Sequence, residues 1–115
     1  MDYATFNALV EKQLQACRDV LVPKGAEYSR NGERLHNFKR AAAQLGVTPE
    51  QALLGMEVKH RTSLLDMVDD VASGTLPSMA VLDEKVTDSI NYLLLLKGLL
   101  SERMGVAYAS PVKAD

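Results

Sequence analysis

The chain has 115 residues, 47% of them hydrophobic and 24% charged, which is enough for a single hydrophobic core and too apolar for a disordered segment. A formal net charge of −2 supplies no overall positive field to gather a polyphosphate backbone, so unaided DNA or RNA binding is not expected. With the single cysteine Cys17 there is no intrachain disulfide framework, Met1-Asp2-Tyr3 does not read as a basic and apolar leader, and the apolar run Leu93 to Leu96 is far below the roughly 20 residues of a membrane span, so the expectation is a cytoplasmic protein without a membrane partner.

In chain order, Phe6, Leu9, Val10, Leu14, Cys17, Val20 and Leu21 recur at three- and four-residue steps and predict a helix from Asp2 to about Val22. Pro23 disfavours helical geometry in the residue before it and Gly25 completes the break, so Lys24-Gly25-Ala26-Glu27-Tyr28 is expected as a loop. Cys17 lies inside the apolar stripe and reads as a small core residue before it reads as a reactive thiol. Asn31-Gly32 marks a turn, after which Glu33, Arg34, Leu35, Phe38, Ala41, Ala42 and Leu45 predict a short helix closed by Gly46.

Thr48-Pro49-Glu50-Gln51 is the clearest start signal: an N-cap hydroxyl, proline at the first helical position and glutamine at the capping-box position. The helix it opens should run from Pro49 to about Ser73, where Gly74 and Pro77 end it. Two adjoining apolar rows lie along it, Leu53, Met56, Leu64, Met67 and Val71 beside Leu54, Val58, Leu65, Val68 and Ala72. Ser78 or Asp83 caps a last helix that carries Val86, Ile90, Leu93, Leu94, Leu96, Leu99 and Leu100 and ends near Gly105. Its second half is apolar almost all round, which suits the middle of a bundle or a subunit interface. The expected architecture is therefore all-α: one four-helix bundle-like domain over residues 1–105, oligomeric, with a flexible tail over 106–115.

Polar residues that interrupt the apolar pattern are the candidates for chemistry. On the last helix Glu84, Asp88 and Asn91 share a face, and two carboxylates on successive turns would suit a Mg²⁺ ion or simply a solvated surface. On the long helix Lys59, Ser63, Asp66 and Asp70 form a polar row, His60 falls within an apolar one, and Glu57 is a further carboxylate. Lys59 could meet a phosphate and His60 could move a proton or sit hydrogen-bonded in the core. Lys24 and Tyr28 offer a cation and a ring, and Asn37 in the basic stretch Arg34 to Arg40 could read a base edge; Phe38 beside it reads as core. No Gly-rich phosphate loop, CxxC pair, HExxH or nucleophile elbow is present.

The order Lys24-Gly-Ala-Glu-Tyr28, Arg34-Leu-His-Asn-Phe38, Lys59-His60, Asp66 and Glu84-Lys-Val-Thr-Asp88-Ser-Ile-Asn91-Tyr92 resembles small phage and prophage proteins of the nucleotide modification associated type. These look distantly similar to the MazG-like all-α nucleoside triphosphate pyrophosphatases and the dimeric dUTPases. The resemblance spans residues 3 to 103 and implies a nucleotide-handling protein of host cytoplasm, in which an ExxE and an ExxD pair hold Mg²⁺ for pyrophosphate release. On this chain it implies Glu57, Glu84 and Asp88 as metal ligands, His60 with Glu84 and Asp88 as catalytic groups, and Lys24, Tyr28, Asn37, Lys59, Asp66, Asn91 and Tyr92 as substrate contacts. His60 stands where the first pair has its second acid, and Lys85 stands where the second pair has its first, with Glu84 one residue displaced. A non-catalytic binder that sequesters a nucleotide, and a structural oligomeric adaptor, are the alternatives.

Overall fold

Helix starts fall where a short polar side chain meets an unpaired backbone N–H. The computed structural model describes residues 1–109 and contains α1 (Tyr3–Tyr28), α2 (His36–Leu45), α3 (Pro49–Ala72) and α4 (Met79–Arg103). The Asp2 carboxylate accepts from the Thr5 amide at 2.8 Å, and the Ser78 hydroxyl from the Val81 amide at 3.2 Å. At Thr48 and Gln51 both halves of the expected capping box form, at 3.2 and 3.0 Å. Helix α2 has no side-chain cap; its start is set by the turn before it. Asn31 and Gly32 both take positive φ, 54° and 78°, so that Arg30 and Glu33 bond each other's backbone as in a type I′ turn.

The expected all-α fold is observed, with no strand among the described residues and a single isolated bridge at Arg30 and Glu33. One expected boundary is corrected. Helix α1 does not stop near Val22 but continues through Pro23 and Gly25 to Tyr28, so Lys24 to Tyr28 are helical and not a loop. Proline removes one bond from the ladder, that of its own N–H to the Asp19 carbonyl, and the turn that follows it packs against Arg34. Arg34 reaches across to α1, where its Nη2 donates to the Leu21 carbonyl at 3.4 Å, and its side chain lies over buried Gly25. A β-carbon at position 25 would stand 2.8 Å from Arg34 Nε, so glycine is what permits this close approach.

Paired contacts give the helix directions. His60 faces Asp88, Lys85 donates to the Ser63 carbonyl and Arg103 pairs with Glu50, so α3 and α4 are antiparallel. Gln13 donates to Thr87 and Asn91 to the Cys17 carbonyl, so α1 runs parallel to α4 on its other side. Helix α2 packs on α3 at the end where α4 finishes, and there Leu35, Phe38, Leu53 and Leu99 form the buried cluster. Cys17 is buried, as its place in the stripe implied. Elsewhere α1, α4 and α3 lie as one layer, and Phe6, Leu9 and Leu14 of the expected core stripe remain exposed. The radius of gyration is 16.7 Å, against about 13 Å for a compact chain of this length.

No helix among the described residues is long and apolar enough to cross a membrane. After α4, the Val106 amide donates to the Ser101 carbonyl at 2.9 Å and the Tyr108 hydroxyl lies 2.9 Å from that of Ser101. The rest of the expected tail, 110–115, lies outside the described residues.

The Arg103 guanidinium grips the Glu50 carboxylate through two bonds of 2.8 and 2.9 Å, joining the start of α3 to the end of α4. Hydrogen bonding to Arg103 holds the Glu50 carboxyl at about 2, below its ordinary 4.5. A folded-state pKa below the unfolded one contributes stability that is complete above pH 4.5 and lost as the pH falls towards 2. The expected result is that wild type melts above Glu50→Gln by a constant margin near neutrality, and that this margin closes in acid. Circular-dichroism melts across the acid range measure it.

Candidate functional site

Where α2 meets the other three helices, polar side chains from the whole chain surround one pocket of about 620 Å³. The extension of α1 makes this possible: Lys24 and Tyr28 are four residues apart on a helix, share a face, and both turn towards the pocket. Asn37 comes from the first turn of α2, Lys59 and His60 from the middle of α3, and Asp88, Asn91 and Tyr92 from the middle of α4. Thus eight of the sequence candidates line one pocket. Arg34 lines it too, a residue quoted in the basic stretch but not assigned a role from sequence. Its only sequence signal was that local charge; the reach to Leu21 depends on the absence of a β-carbon at position 25.

The pocket is cationic within an acidic chain. Lys24, Arg34 and Lys59 face a single carboxylate, Asp88. His60 Nδ1 lies 3.4 Å from Asp88 Oδ2, and its ring centroid lies 4.9 Å from that of Tyr92. Burial, reinforced by the Asp88 charge, pushes the Tyr92 phenol above its ordinary 10, so it stays protonated near neutrality and can donate. Val20, Leu21, Met56 and Leu95 supply apolar wall, which the periodic pattern had absorbed as ordinary core.

Two amides complete the polar lining. Asn91 is 5% exposed and its Oδ1 has no partner among the described residues, while its Nδ2 only reaches the Cys17 carbonyl at 3.5 Å. The Asn37 Oδ1 is also buried without a partner. A buried acceptor left unpaired costs about 1–3 kcal/mol, so both oxygens favour a ligand that brings N–H or O–H donors. Tyr28 and Asn37 also wall a neighbouring, more open hollow edged by Arg30, His36 and Arg40.

The remaining candidates are not brought to the pocket. Glu84 is exposed on α4, one turn before Asp88, at a level that α2 does not reach. Asp66 is exposed and lines a separate hollow with Asp70 and Lys85, about 10 Å along α3 from Lys59. Glu57 is committed to Arg61 by an ion pair one turn along α3. The Mg²⁺ set of Glu57, Glu84 and Asp88 therefore does not gather, and among the described residues no three His, Cys, Asp or Glu side chains could jointly hold a metal ion. A hard divalent cation wants several oxygen ligands. The donors present, three cations and one carboxylate already facing a histidine, do not fit that need.

Compared with known protein families, curated proteins and solved structures, the chain matches none.

Proposed function

We propose that this chain binds a nucleotide or a similar phosphate-bearing small molecule in the pocket, and that its own cations meet the phosphates without a protein-bound divalent ion. The observation that carries this reading is the convergence of Lys24, Arg34 and Lys59 on one partly apolar pocket of a chain whose net charge is −2. Lysine offers a point charge and arginine a planar fork, and both suit phosphate oxygens. Tyr28 and the His60 and Tyr92 rings, which lie tilted against each other at 39°, offer aromatic surface for a base, and the unpaired Asn37 and Asn91 oxygens offer acceptors for its amino groups or for sugar hydroxyls. A volume of about 620 Å³ lies in the ordinary range for small-molecule sites. The motif order that resembles the phage nucleotide proteins supports the same ligand class, and the sequestering alternative is the form of it favoured here.

Titration calorimetry with AMP and ATP, each in EDTA and in Mg²⁺, tests the reading, with Asp88→Asn as the discriminating variant. Direct binding predicts that affinity survives chelation and is kept or raised in Asp88→Asn, because a carboxylate near the phosphates has been neutralised. Mg²⁺-dependent pyrophosphate release is the competing reading, and the His60 and Asp88 pair, an imidazole nitrogen 3.4 Å from a carboxylate oxygen, is the feature in its favour. It predicts that EDTA and Asp88→Asn each abolish binding and turnover. No heat with either nucleotide in any condition would end the proposal.

A further inference from the structure

The side of α3 turned away from the pocket carries apolar residues at heptad spacing. Leu54, Val58, Leu65, Val68 and Ala72 follow steps of four and three residues, with Arg61 completing the register. The row lies about 140° round the helix from Lys59, and none of the five residues touches the pocket. In the single chain it is open to solvent: Leu54 is 42% exposed, Val58 51%, Leu65 60% and Val68 61%. On α4 the side opposite Asn91 and Leu95 carries a second row, Leu82, Val86, Leu93, Leu100 and Met104, of which the last three are exposed. Because α3 and α4 are antiparallel neighbours and both rows face away from the pocket, they form one continuous apolar surface.

We infer that this surface is covered by a second copy of the same chain, the two α3 and α4 hairpins closing into an antiparallel four-helix bundle. Three observations select a copy of this chain as the occupant. Heptad spacing on a regular helix is the pattern that helices bury against other helices, and a monomer gains nothing by displaying it. The α3 row is also near-symmetric about Arg61: an antiparallel pairing centred there sets Leu54 against the second copy's Val68, and Val58 against its Leu65. Arg61 would face its own counterpart on the two-fold axis, and its ion pair with Glu57 is what makes that meeting tolerable. Finally, the chain exposes 8632 Å², whereas a folded monomer of 12.6 kDa exposes about 6,200 Å². The difference exceeds the roughly 600–1,000 Å² per chain that a stable dimer removes. This inference is independent of what the pocket binds.

Light scattering on a sizing column, over micromolar concentrations, is expected to return twice the 12.6 kDa chain mass. Leu65→Glu with Val68→Glu is expected to halve that mass. If the double variant loses helical circular dichroism instead of giving a folded monomer, the test passes to Arg61→Cys in a Cys17→Ser background, which is expected to oxidise to a covalent dimer while Asp66→Cys on the opposite side of α3 does not. A wild-type chain that stays monomeric overturns the inference. So does a double variant that remains a dimer, or an Arg61→Cys chain that fails to cross-link.

Discussion

Lys59→Glu is expected to weaken nucleotide binding by on the order of a hundredfold with almost no change in melting temperature. A hydrogen bond to a charged group contributes about 1.5–3 kcal/mol, and reversing the charge adds repulsion against the phosphates to the loss of the bond. Lys59 is exposed at the rim, bonds no other side chain among the described residues and lies outside the buried cluster, so folding should register the change by no more than about 0.5 kcal/mol. Calorimetry with ATP in EDTA measures the affinity, and the ligand-free melt measures the fold. Ligand at about a hundred times the wild-type Kd should stabilise wild type by about 2.7 kcal/mol and the variant by only about 0.4 kcal/mol, so the melting temperature of wild type should rise several times further. An affinity that falls less than about threefold would remove Lys59 from the phosphate contacts, because even one bond to a charged group is worth more. Lys59→Arg, which keeps the charge, should recover much of the loss.

Leu53→Ala is expected to produce the largest loss of stability of any single truncation, about 3–5 kcal/mol. Leu53 is 1% exposed, the most deeply buried of the cluster it forms with Leu35, Phe38 and Leu99. Few other side chains are buried well enough to absorb the cavity, because most of the large hydrophobics of α1, α3 and α4 are exposed. Small domains are stable by about 5–15 kcal/mol, so the variant should be close to unfolding at room temperature. Tyr92 and Leu95 pack on this cluster and also line the pocket, so ligand affinity should fall together with the denaturation midpoint. A urea midpoint that moved by the equivalent of less than about 1 kcal/mol would show that the cluster is not the centre of the fold.

Much of the fold was legible because its signals are local. Thr48, Pro49 and Gln51 specify the start of α3 through bonds within one turn, Gly46 closes α2 with a φ of 68°, and Ser78 opens α4 in the same way as Thr48. The site residues that stood out from sequence were those that broke an apolar row. His60, Asp88 and Asn91 lie among Met56, Leu64 and Ile90, and a polar group in such a row is retained against a cost of burial. What spacing on a single helix cannot carry is where the neighbouring helix ends. Glu84 and Asp66 lie on faces consistent with the pocket, yet both are exposed, because α2 is only ten residues long and covers α3 and α4 at one end.

By itself, then, the sequence determined four helices, the caps that open α3 and close α2, most of the polar residue types that line the pocket and the burial of Cys17 and Phe38, because each depends on contacts within a few residues or on a strict period. Only the tertiary structure decided that α1 runs on through Pro23, that Arg34 joins the pocket, and that Glu57 and Glu84 stay out of the pocket that Asp88 lines. The reason in each case is a contact between residues far apart in the chain. A helix is carried past a proline where a guanidinium from another segment packs on the turn beyond it, and carboxylates can share a cation only where helix packing brings them to the same level.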